Sequence, residues 1–167
     1  MSADDITYAA EDLAFEGTPL GDRLDRTALI AETLELTANP NVYARTGAVH
    51  VAEASTRLVR SSAYARGQEV RFAPTRMLRL VAVHELSHVA HRRWRPRQPD
   101  ASHGPEYRAV YLAMVGTCYG GRYVRLLREA FHEMRIPPDP SLIMLYPDRP
   151  AIDLDVQEDV SRGVRWL

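Results

Sequence analysis

The chain has a single cysteine, Cys118, and no lysine among its 21 basic residues. One thiol excludes an internal disulfide framework and any cysteine-built zinc ribbon. The lack of lysine leaves all positive charge to arginine, a bias that GC-rich coding produces as readily as binding does. No run approaches the roughly 18 consecutive apolar residues of a membrane span. Met1–Glu11 is acidic and polar, without the apolar stretch of a signal peptide, so a cytoplasmic protein is expected. A net charge of -1 gives no global attraction to nucleic acid or to an anionic membrane.

What is present fits one globular domain of 167 residues, 46% hydrophobic and 26% charged. Residues 1–19 are expected to form an N-terminal arm with a short helical stretch around Tyr8–Phe15, and 137–167 a C-terminal extension. Leu24, Ala28, Ala31, Leu34 and Ala38 predict a helix with one apolar face, stopped at Asn39-Pro40-Asn41. Weak alternation over Val49–Ala54, and two runs either side of Arg66-Gly67 (Arg57–Ala65 and Gln68–Ala73), predict a small sheet containing a hairpin. A helix is expected from Pro74 to Trp94, another from Gly104-Pro105 to Tyr119, and a last one over Arg122–Met134 after the Gly120-Gly121 break. The class implied is α+β.

His84-Glu85-Leu86-Ser87-His88 lies inside the expected Pro74–Trp94 helix. On a helix this HExxH spacing puts both imidazoles on one face within reach of one zinc ion, with Glu85 beside them as the base for metal-bound water. Leu78, Ala82, Val83, Leu86, Val89 and Ala90 cover the rest of the circumference, so the helix belongs in the core. Histidines and a carboxylate buried there need partners, because an unpaired buried polar group costs about 1–3 kcal/mol.

A catalytic zinc takes three protein ligands and keeps one position open. His103 is the best third candidate, because the preceding loop is long enough to reverse the chain. Glu106 is the next, and whichever of the two is not a ligand is expected to support one. His91 lies on the same face as His84 but about 10 Å further along the axis, too far for one tetrahedral ion.

Val83–His88 followed by His103-Gly104-Pro105-Glu106-Tyr107 resembles the SprT-like zincins, whose pattern is HExxH followed by HGxx and an aromatic residue. It is closer to a small family of actinobacterial metallohydrolases, which also share a Tyr-Ala-Ala-Glu-Asp-like start, here Tyr8–Asp12. The resemblance implies a compact zincin-like metalloprotease domain with the HExxH helix in its core. It implies Zn²⁺ on His84, His88 and His103, with Glu85 as catalytic acid/base. It departs from SprT-like proteases in lacking a cysteine-rich zinc ribbon, and from metzincins in having His91 and Trp94 where HExxHxxGxxH has glycine and histidine.

The expected activity is peptide-bond hydrolysis by zinc-bound water, with a peptide or protein as partner. A small-molecule amidase and a non-enzymatic zinc-stabilised binding module are the alternatives. Tyr107 and Tyr111 are candidate oxyanion donors, though large core rings at these positions are the simpler reading. Tyr64 is a candidate cleft wall. Arg92, Arg93, Arg95 and Arg97 around Trp94 are a candidate nucleic-acid contact, or else a solvated basic loop. His50 and His132 read as surface or packing residues, and Cys118 as a buried apolar one. Asp153, Asp155, Glu158 and Asp159 make the tail acidic.

Overall fold

Helix α4 (Leu80–Trp94) runs through the centre of the molecule, with other elements packed on both sides. The computed structural model describes residues 3–55, 63–95, 103–142 and 145–154. Among these are five further α-helices: α1 (Ala3–Phe15), α2 (Arg26–Ala38), α3 (Pro40–Thr46), α5 (Pro105–Tyr119) and α6 (Gly121–Glu133). Five short strands complete an α+β architecture: β1 (Arg23–Leu24), β2 (His50–Glu53), β3 (Ala63–Arg66), β4 (Glu69–Phe72) and β5 (Met77–Leu78). No helix among the described residues is long and apolar enough to cross a membrane.

On one side of α4 lies α5, with α6 against α5 and α1 against α6. On the other, β3 packs on α4 as an outer strand of a sheet ordered β2-β4-β3. Strand β2 runs parallel to β4 and β3 antiparallel to it, with Ala65 opposite Val70. The core is drawn from all these elements and includes Phe15, Leu29, Phe72, Leu86, Tyr107 and Phe131. Burying a side chain of that size contributes about 1.5–3 kcal/mol, so helices with weak intrinsic periodicity are held mainly by packing.

The segment expected to be an arm is instead part of the core. Ala10 and Phe15 on α1 are fully buried, and Thr7, Ala10, Glu11 and Ala14 form one buried stripe at i, i+3, i+4 and i+7. Pro40 does not simply stop a helix. Asn39 ends α2 and accepts the Asn41 N–H on its side-chain oxygen at 2.9 Å, while Pro40 takes the first turn of α3, where no amide donor is needed.

The buried face of α2 is Leu29, Thr33 and Leu36, and Leu34 is 50% exposed. This face differs from the expected one because Thr33 hides its polarity by donating to the Leu29 carbonyl at 2.6 Å. Pro74 likewise precedes no helix. Met77 and Leu78 pair with Leu24 and Arg23, and the Arg79 N–H donates to the Asp22 carbonyl at 2.8 Å, so long-range pairing keeps this stretch extended until Leu80. The part of the expected hairpin over residues 57–62 lies outside the described residues.

The α5–α6 break falls at Gly120, whose φ of 97° lies where L side chains are disfavoured. Past α6 the chain returns along α5, where the N–H groups of Ala151 and Ile152 donate to the free carbonyls of Thr117 and Cys118, both at 2.9 Å. Cys118 itself is buried and unpaired with any other thiol.

Candidate metal centre

His84 and His88 project from successive turns of α4, with their Nε2 atoms 3.2 Å apart. His103, just before the Gly104 cap of α5, brings its Nε2 to 3.0 Å from that of His84. One ring nitrogen from each lies within 4.8 Å of the others. Tetrahedral nitrogens at about 2.0–2.1 Å from a zinc ion are about 3.3 Å apart, so the trio is already near the spacing a metal requires.

The backbone and surrounding rings hold this arrangement. His103 has φ 61°, a left-handed conformation that histidine adopts more readily than bulkier residues. Buried Arg108 supports it: Nη1 donates to the His103 carbonyl, while Nε and Nη2 donate to the Pro137 carbonyl at 3.2 and 3.1 Å. The Tyr107 ring stacks on His88 with centroids 4.4 Å apart, and its hydroxyl donates to the His84 carbonyl at 3.2 Å. Tyr8 on α1 stacks on His84 at 5.4 Å and meets His103 edge-on at 5.3 Å. Its ring is 48% exposed and so forms the mouth of the site.

Sequence reasoning missed Glu11. Its Oε1 lies 2.6 Å from Nδ1 of His84, and both side chains are buried. The available signal was its place on the Thr7/Ala10/Glu11/Ala14 stripe: a carboxylate on an otherwise buried helix face needs a specific partner.

Glu85 is buried beside the trio, and burial raises its carboxyl above the ordinary range. The charge of His84 opposes that shift, Glu11 reinforces it, and Arg92 and an Ala65 main-chain hydrogen bond oppose it further. His88 is held down to about 2, first by burial and then by repulsion from His84 and His103, so it is a neutral nitrogen donor. Converging imidazole nitrogens with two buried carboxylates, Glu11 and Glu85, form a donor set and a charge balance that suit a divalent cation of borderline softness.

Neither of the other third-ligand candidates joins the cluster. His91 Nε2 and Glu106 Oε2 lie 3.9 Å from each other, and Arg95 reaches Glu106 at 3.4 Å. Glu106 therefore supports His91 and Arg95, and the carboxylate behind a trio histidine is Glu11 instead. The Tyr107 hydroxyl is engaged with a main-chain carbonyl. Tyr111 is fully buried, where desolvation pushes its phenol up. Both rings pack against His84, and the Tyr111 hydroxyl lies beside the Glu11 carboxylate. Tyr64 alternates with Ala63 and so points to the opposite face of β3.

In the basic run, Arg92 donates to the Ala65 carbonyl at 2.7 Å, Arg93 lies against Gly47, and Arg95 stacks over Trp94 at 4.3 Å. Arg97 and the acidic residues Asp155, Glu158 and Asp159 lie outside the described residues. His50 and His132 are exposed, and His50 sits 3.8 Å from Glu69.

A cavity of about 300 Å³ opens beside His84 and Glu85, between Tyr8, Glu11, Ala63 and Val81. It shares a wall of Glu11, Asp12, Leu78 and Leu80 with a second cavity of about 340 Å³ along α1. No protein-family model, curated protein or solved structure matches the chain. The site is read from its own geometry. Around His84 lie the ring nitrogens of His88 and His103, the raised carboxyl of Glu85 and an open cavity.

Proposed function

We propose that the chain is a zinc-dependent hydrolase with a zincin-like build, cutting peptide bonds. The observation that carries this reading is the convergence of His84, His88 and His103 beside buried Glu85. A divalent ion bound by the three histidines would polarise a substrate carbonyl and lower the pKa of water from about 15.7 toward 7. Glu85 takes the proton from the attacking water and hands it to the leaving amine. Burial suits it to this task by keeping bulk water away from the carboxyl.

Three features support an open, catalytic site. Among the described residues no carboxylate or cysteine stands with the trio as a fourth ligand, and Glu106 is engaged elsewhere. Two neighbouring cavities that share a wall along α1 favour an extended chain over a small closed-in amide. Strand β3 is an outer strand whose residue Ala63 lines the cavity, which suits main-chain pairing with a peptide, although Ala65 is already bonded to Arg92. The internal partners of Arg92 and Arg95 favour a peptide over a nucleic-acid substrate.

The test is peptide-library profiling of the purified protein, with and without chelator, beside metal analysis. The wild type should bind one zinc and cleave in a chelator-sensitive manner, whereas Glu85→Gln should keep its zinc and lose turnover. A zinc-loaded Glu85→Gln with full activity would overturn the assignment. Turnover confined to small amides would replace the peptidase with an amidase.

A further inference from the structure

We propose that Glu11 is the carboxylate that orients His84 for the metal, which makes helix α1 part of the site. This rests on the metal-site reading above and adds a residue from a segment outside the HExxH and His103 motifs. A neutral imidazole carries one N–H. With Nδ1 donating to Glu11 at 2.6 Å, Nε2 of His84 is left bare and faces Nε2 of His88 and His103. The opposite tautomer would set two acceptors against each other at 2.6 Å and aim a proton into the space the metal needs. Glu11 therefore selects the ligating form of His84 and fixes the plane of its ring.

The placement of Glu11 is otherwise costly. It stands on the buried face of α1 between Ala10 and Ala14, where an apolar residue would fill the core without desolvating a charge. No arginine pairs with it among the described residues; its hydrogen-bond partner is the neutral imidazole, with the buried Tyr111 hydroxyl beside it. Tyr8, one turn earlier on α1, stacks against the same ring. One helical turn thus grips His84 at its Nδ1 edge and on one ring face. That gives Tyr8-Ala9-Ala10-Glu11-Asp12 a chemical reason: Tyr8 and Glu11 contact the ligand, and fully buried Ala10 seats the helix in the core.

The experiment measures zinc affinity of the full chain by competition with a chelator, for wild type, Glu11→Gln, Glu11→Ala and Glu129→Gln. Glu129→Gln removes the same charge from an exposed position on α6. Both Glu11 variants should bind zinc about 10- to 100-fold more weakly, with Glu129→Gln like the wild type. In the zinc-loaded wild type, nitrogen-proton NMR of labelled histidine should place the His84 proton on Nδ1, a readout that stands even if a Glu11 variant fails to fold. Unchanged affinity in Glu11→Gln, or a His84 that binds zinc through Nδ1, overturns the role of Glu11 alone. No zinc binding by the wild type overturns the metal reading and this one with it.

Discussion

Arg108 donates from Nη1 to the main-chain oxygen of His103, five residues before it, and from Nε and Nη2 to the Pro137 carbonyl. One buried guanidinium thus ties the left-handed turn that aims His103 to the chain leaving α6. Hydrogen bonds to charged groups contribute about 1.5–3 kcal/mol. Arg108→Met should therefore destabilise the fold by about that amount, seen in urea denaturation, and weaken zinc binding through His103. A variant as stable as wild type with undiminished affinity would show that the turn holds itself.

Tyr107 donates its hydroxyl to the His84 carbonyl and so braces α4. Tyr107→Phe should cost about 1 kcal/mol of stability and leave turnover within tenfold of wild type. A loss of about 10²–10³ in kcat would identify it as an oxyanion donor after all.

Gly116 lies beneath the Tyr146 ring, and a Cβ there would collide with its Cγ. The clash meets the base of the ring, so the whole side chain must move. Gly116→Ala should cost about 1–3 kcal/mol and loosen the 145–154 segment from α5. Limited proteolysis should cut the variant in this segment faster than wild type; equal rates would mean that Tyr146 contributes nothing to docking.

Glu32 accepts from the Tyr119 hydroxyl at 2.6 Å and from Arg79 Nε at 3.0 Å. Even so, burial raises its carboxyl above the ordinary 4.5. A raised folded-state pKa favours folding fully below pH 4.5, and that contribution is lost as pH rises through the folded value. The stability difference between wild type and Glu32→Gln should therefore shift toward wild type as pH falls from 7 to 4.5, in denaturant titrations at each pH. A constant difference would mean that the two partners outweigh burial.

Local chemistry made several features legible. Gly120 and Gly121 marked the α5–α6 break because few other residues tolerate φ near 97°. The pairing of His84 with His88 followed from 3.6 residues per turn. Other features were hidden because their causes are distant. Residues 74–79 carry no local bar to helix, and only pairing with Arg23 and Leu24 keeps Met77 and Leu78 extended. Thr33 looks polar in sequence and packs as apolar once its hydroxyl is bonded within α2.

By itself, the sequence determined that two imidazoles and a carboxylate share a buried helix, because that arrangement depends only on helical repeat and apolar coverage. Tertiary structure decided which groups meet them. His103 is 19 residues from His84 and Glu11 is 73 residues away, separations over which no periodicity acts. They are brought to the same ring by the docking of α1 and by the Arg108-held turn before α5, and packing of that kind depends on the whole core at once.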